Sequence, residues 1–132
     1  MSKLRKFVLC IEDDENDSVR IEKAISEINP ELDVFISRNG IEAIELLNRQ
    51  KQHLPCLILL DINMPRMNGR ETIAAIKSIP DLKDIPIVIF TNSTSKLDKY
   101  FFERHGAEFI SKPTQDEQLK KKIQQVVLGK CA

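Results

Sequence analysis

The sequence predicts an α/β domain with a parallel sheet covered by helices on both faces. Two observations carry this. Short apolar runs alternate with longer stretches whose apolar residues recur three and four apart, the pattern of strands joined by crossover helices. One of the runs, Leu57-Ile58-Leu59-Leu60, holds no polar residue at all, as a strand buried on both faces requires.

Each element has its own signal. Lys6 to Ile11 is a β-prone run, and from Asp17 onward Ile21, Ala24, Ile25 and Ile28 keep helical spacing until Asn29-Pro30 stops them. Leu32 to Ile36 alternates in part and predicts a second strand. Asn39-Gly40 then opens a helix with Ala43, Ile44 and Leu47 on one face. Pro55 and Cys56 lead into the third strand, which ends on Asp61. Turn formers fill Asn63 to Gly69, with Met64 and Met67 as loop packing, and Thr72, Ile73, Ile76 and Ile79 mark a third helix closed by Pro80. Ile85 to Phe90 is the fourth strand. A polar loop, Asn92 to Ser95, precedes a helix striped by Leu97, Phe101 and Tyr100. Tyr100, Phe101 and Phe102 cannot all face the core from a helix buried on one side, so at least one is expected at the surface. Ala107 to Ser111 is the fifth strand. Thr114-Gln115-Asp116-Glu117 has the form of a capping box, and Leu119, Ile123 and Val126 stripe the last helix. Right-handed crossovers follow for the parallel connections.

A chain of 132 residues fits one domain, spanning 1–132 with no output domain, and buries roughly two thirds of the surface its unfolded form exposes. Lys plus Arg and Asp plus Glu each number 20, so the formal net charge is zero and no signature of nucleic acid or membrane binding appears. No apolar stretch approaches the roughly 18 residues that span a bilayer, and no charged segment followed by an apolar stretch opens the chain. Cys10, Cys56 and Cys131 are odd in number and lack C-x-x-C spacing. Two of them sit inside or beside apolar runs where a small hydrophobe would serve, which fits a reducing cytoplasm. His53 and His105 have no matching ligand set, and Lys120-Lys121-Lys122 reads as a solvated helix face.

Function is signalled by where the strands end. The first ends on Glu12-Asp13, the third on Asp61, the fourth on Thr91, and the fifth just before Lys112. In an open parallel sheet these ends share one crevice, the place where such folds bind ligands. Like charges at about 5 Å repel by roughly 3 kcal/mol at an effective dielectric near 20, so Glu12, Asp13 and Asp61 call for a cation. Oxygen ligands suit a hard ion such as Mg²⁺. Asp61 would then be a nucleophile on a rigid strand end, with Thr91 and Lys112 placed to hold the equatorial oxygens of a transferring phosphoryl group.

The residues Ile11-Glu12-Asp13-Asp14, Leu60-Asp61-Ile62-Asn63-Met64-Pro65-Arg66-Met67-Asn68-Gly69, Phe90-Thr91 and Lys112-Pro113, in this order and spacing, resemble the receiver domains of two-component response regulators over nearly the whole chain. The likeness is to the lone-receiver, chemotaxis type, and Asp81-Leu82-Lys83-Asp84-Ile85-Pro86 is similar to regulators paired with phytochrome kinases. The resemblance implies a CheY-like, flavodoxin-like sheet of five strands in the order 2-1-3-4-5 with five helices. It makes Asp61 the phosphoacceptor and Asp13, Glu12 through water, and the Asn63 carbonyl the further ligands of Mg²⁺. Thr91 and Phe109 become the switch pair, and Lys112-Pro113 a cis peptide.

The implied partners are a sensor histidine kinase or histidine phosphotransfer protein and a downstream effector, with a homodimer through the fourth helix, fifth strand and fifth helix. The chain would act as a phosphoacceptor rather than as an enzyme, apart from self-catalysed phosphorylation and dephosphorylation. Asn92 departs from the small residue the family has after its Thr, and it keeps a binding-only pseudo-receiver as an alternative. A haloacid-dehalogenase-type phosphatase is the other. It would need an acid where Asn63 stands.

Overall fold

Every strand is followed by a helix, and each of the first four helices returns the chain to the start of the next strand. The computed structural model describes residues 5–64 and 66–131, so Pro65 of the motif lies outside the described residues. In chain order the elements are β1 (Phe7–Ile11), α1 (Glu15–Ile28), β2 (Asp33–Ser37), α2 (Gly40–Arg49), β3 (Leu57–Leu60), α3 (Gly69–Ser78), β4 (Ile87–Thr91), α4 (Lys96–Arg104), β5 (Glu108–Ser111) and α5 (Asp116–Lys130). The strands form one parallel sheet in the order β2-β1-β3-β4-β5. Its three central strands are buried along their whole length, which is why they read as unbroken apolar runs.

Successive residues of these strands feed two separate cores. Phe7, Leu9, Ile11, Ile58, Leu60 and Ile89 pack with Leu47, Ile73, Ile76 and Phe102 from α2, α3 and α4. Val8, Cys10, Leu59, Val88 and Phe90 pack with Ile21, Ile25, Leu119, Ile123 and Val127 from α1 and α5. Asp14, Asn39, Asn68 and Ser95 cap the first four helices by accepting an N–H three residues on. Gly69, at the start of α3, sits so close to the chain leaving β3 that a Cβ there would lie 2.7 Å from Ile62 Cα and 2.9 Å from the Asp61 carbonyl oxygen. A side chain at that point would push α3 off the strand end that carries Asp61.

Four expectations need correction. The capping box at Thr114 does not form: α5 starts at Asp116 with Gln115 as N-cap and no side-chain cap bond. Arg20 donates to the Pro113 and Thr114 carbonyls and to Asp116 in this segment. The reciprocal box is at Asn68 and Glu71. In α4 the buried residue is Phe102, with Phe101 partly buried, while Leu97 is 78% and Tyr100 58% exposed. The helix is thus rotated from the predicted stripe, and Tyr100 meets the expected surface position.

The Lys112-Pro113 bond is trans, and among the described residues no peptide bond is cis. The two isomers of an X-Pro bond differ by only about 0.5–1 kcal/mol, so the sequence alone does not fix which one forms. Finally, Cys56 and Cys131 are not independent small hydrophobes: they form a disulfide with Cα atoms 5.3 Å apart. α5 runs back against the strands, so the cap residue at its end returns to the approach to β3. A separation of 75 residues hides that meeting from the sequence. Cys10 is free and buried, as expected.

Candidate functional site

The register of the sheet assembles the crevice. Ile11 pairs with Leu60, so Glu12 and Asp61 leave neighbouring strands side by side. Thr91 pairs with Ser111, and the Lys112 N–H donates to the Thr91 carbonyl at 2.7 Å, which sets Lys112 beside the fourth strand end. Carboxylate oxygens of Glu12, Asp13 and Asp61 lie within 4.8 Å of one another. Glu12 is buried, Asp61 nearly so, and Asp13 is open to solvent.

The Lys112 ammonium is the counter-charge. It makes a buried ion pair with Glu12, reaches Asp17 Oδ2 at 3.0 Å, and lies 3.9 Å from Asp61 Oδ2. The second Glu12 oxygen accepts the Asp14 N–H at 3.2 Å, and Asp61 Oδ1 accepts the Ile62 N–H at 2.8 Å. Thr91 is fully buried, its hydroxyl oxygen accepting the Ser93 N–H at 3.2 Å. Phe109 is half-buried, its ring 6.3 Å from that of Phe102. Asn63 is exposed and lines a cavity with Ile62, Met64, Asn68, Arg70 and Asp98, and Asn92 is exposed.

Sequence reasoning missed Asp17 and Arg20. Asp17 sits in the first turn of α1, where a carboxylate ordinarily reads as a helix-dipole partner. In the fold it bridges Lys112 to Arg20, whose Nη1 lies 3.4 Å from it. No spacing rule reaches across 95 residues, so only an unusual density of acids from Glu12 to Asp17 hinted at a second role. His53 and His105 take no part: each bonds a backbone carbonyl and packs on a phenylalanine ring.

Four carboxylates and one ammonium leave the cluster with excess negative charge. Burial lifts the Glu12 carboxyl to about 7, the hydrogen bond from Lys112 opposes that, and the charge of Asp61 adds to it. Burial also works against the charged Lys112, yet its hydrogen bond to Glu12 and the charges of Asp61 and Glu12 outweigh the loss and hold its pKa above the ordinary value. Both groups therefore retain protons more firmly than in water. A divalent cation would relieve the same imbalance, and the all-oxygen donor set fits a hard one. The described helices include none long and apolar enough to cross a membrane.

Known proteins resemble this chain in sequence and fold. The response regulator receiver domain family matches residues 8–124. The response regulator Rcp1 of Synechocystis sp. is 34% identical over 124 residues, covering 90% of this chain and 84% of that protein. The crystal structure of the phosphorylated cyanobacterial phytochrome response regulator RcpA superposes with a TM-score of 0.88 at 30% identity, over 98% of this chain and 96% of that one. The Mn²⁺-bound form of Rcp1 superposes with a TM-score of 0.82 at 31% identity, over 92% and 91%. The matched span takes in the sheet from Val8 onward and each strand end that meets in the crevice, and on that ground the chain belongs to the response regulator receiver domains, whose general mechanism is phosphoryl transfer to an aspartate.

Proposed function

We propose that Asp61 is the phosphoacceptor of a phosphorelay and that the acyl phosphate shifts the chain between two surface conformations. The observation that carries this is the convergence of Asp61, Lys112 and the fully buried Thr91 at neighbouring strand ends. In the transfer, an Asp61 oxygen attacks the phosphorus of a partner's phosphohistidine. The P–N bond breaks, and its electron pair stays with the imidazole nitrogen. Lys112 and the Thr91 hydroxyl then hold phosphoryl oxygens, and Lys112 is close enough to leave Glu12 for them.

Glu12, Asp13, Asp61 and the Asn63 carbonyl would hold Mg²⁺, which supplies positive charge against the phosphoryl oxygens. Likeness to phytochrome response regulators supports a phytochrome-type histidine kinase or a phosphotransfer protein as donor. The exposed Leu97 and Tyr100 support a contact with an effector or a second copy through α4, β5 and α5. The whole would operate in the cytoplasm as a single receiver, with Thr91 and Phe109 as the switch pair and no substrate of its own to turn over.

Incubation with Mg²⁺ and acetyl phosphate, followed by intact mass, tests the reading. A phosphoryl adduct is expected on the wild type and is lost in Asp61→Asn or with a chelator. No adduct at short times would favour a binding-only receiver, and steady turnover of varied phosphate esters a phosphatase.

A further inference from the structure

Beside the acidic cluster a second polar chain runs from the Thr91 hydroxyl away from the carboxylates. The Ser93 N–H donates to the Thr91 hydroxyl oxygen, and the Ser93 hydroxyl donates to Asp98 Oδ2 at 2.7 Å while accepting the Ser95 N–H at 3.2 Å. The other Asp98 oxygen is paired with the Arg70 guanidinium. Arg70, near the start of α3, also lies over the Phe101 ring at 4.3 Å and 5.8 Å from the Phe102 ring. An unbroken line thus runs from the end of β4 through its loop into α4 and across to α3. It closes one side of a cavity of about 380 Å³ whose other side is Ile62, Asn63 and Met64, directly after Asp61.

Asp98 alone would be an acid in a helix first turn, and Arg70 alone a surface cation on an aromatic ring. What sets them apart is that both oxygens of one carboxylate are engaged, one by the loop and one by α3. The Ser93 hydroxyl, and to a lesser degree Arg70, hold the Asp98 carboxyl below its usual range, in keeping with a charged pair. A hydroxyl has one proton to give and lone pairs to receive. Thr91 has no solvent exposure, and its hydroxyl oxygen accepts from Ser93.

Resting on the reading of Thr91 as a phosphoryl-contacting hydroxyl, we infer that Arg70 and Asp98 are positioning residues. They fix Ser93 so that its N–H takes up a Thr91 lone pair, which leaves the Thr91 proton free to face a phosphoryl oxygen on Asp61. Ser93 is at the same time kept from turning its own hydroxyl toward that oxygen. The rate of phosphoryl uptake then depends on an ion pair between two helices, neither of which touches the reacting atoms.

The test is the initial rate of Asp61 phosphorylation by acetyl phosphate with Mg²⁺, followed by intact mass. Losing the charged hydrogen bonds of one carboxylate should make Asp98→Asn about five- to tenfold slower and Arg70→Gln about two- to threefold slower. The double variant should be no slower than Asp98→Asn. In a Thr91→Ala background, Asp98→Asn should change the rate by less than about twofold, since its route of action is gone. A wild-type rate in Asp98→Asn, or the same fold loss with and without Thr91, overturns the inference; the latter is what mere structural damage would give. Absence of any Asp61 adduct on the wild type would instead sink the phosphorelay reading. Amide exchange then decides the tie by itself. Asp98→Asn should speed exchange at Ser93 and Ser95 by about tenfold and leave β1 and β3 unchanged, and equal protection at Ser93 would remove the tie.

Discussion

The two ends of the sheet are held by opposite means. At the carboxyl ends of the strands, Glu12, Asp13, Asp17 and Asp61 crowd around one ammonium, and the two most buried partners, Glu12 and Lys112, are both ionisable. At the amino ends, nothing comparable is buried among the described residues. Arg5 reaches the Pro30 and Glu31 carbonyls from the surface, His53 bonds the Arg5 carbonyl and packs on Phe7, and the Cys56–Cys131 bond ties α5 to the approach to β3. One end concentrates charge that the fold would be more stable without, and the other contributes only cohesion. Stability and activity are thus separated along the strand axis, and substitutions at each end should move different observables.

The largest effect is expected where the charge is balanced by one group. Lys112→Met removes the counter-charge from a buried pair and should destabilise the metal-free protein by about 3–5 kcal/mol, read by urea unfolding. A much smaller loss would mean that solvent reaches the cluster and that the contrast between the ends is overstated. Reduction of the Cys56–Cys131 bond, or Cys131→Ser, comes next, at about 2–4 kcal/mol for a crosslink closing a long loop. Phosphoryl uptake by Asp61 should be unchanged in the same sample. A slower uptake would show that the two ends communicate.

The smallest effect is a matter of pH. Glu12 has an unfolded value of 4.5 and a folded value raised to about 7. Its contribution to stability is therefore fully present below 4.5 and is lost as pH rises through 7, because the ionised form is the less favoured one in the fold. Metal-free wild type should lose roughly 1–2 kcal/mol across that window, and Glu12→Gln, which has no proton to give up, should not. Mg²⁺ should flatten the wild-type curve in the same way. A flat metal-free curve would mean that Lys112 alone neutralises Glu12.

The parts of this molecule legible in the sequence are those set by short-range pattern. Leu57 to Leu60 could only be a doubly covered strand, and Asp61, Thr91 and Lys112 were visible because each stands at or just past the end of an apolar run whose direction was already known. The disulfide, the bridge from Asp17 to Lys112 and the Arg20 contacts join residues 75, 95 and 93 or more apart, where no local period applies. The Thr114 capping box failed for a different reason. Its sequence form was correct, but α5 begins later, at Asp116 with Gln115 as N-cap, so Thr114 falls outside the helix start. The stripe of α4 was misjudged because three consecutive aromatic residues leave the helical phase undetermined until Phe102 meets the sheet.

The bond between Cys56 and Cys131 also turns most of the chain into a closed ring. A protease that cuts the polar loop after β4, or the turn-rich segment before α3, would open that ring without releasing a fragment. The nicked chain would migrate as one species on a non-reducing gel and as two after a thiol is added. In the cut molecule, α5 would still be leashed to the strand that carries Asp61.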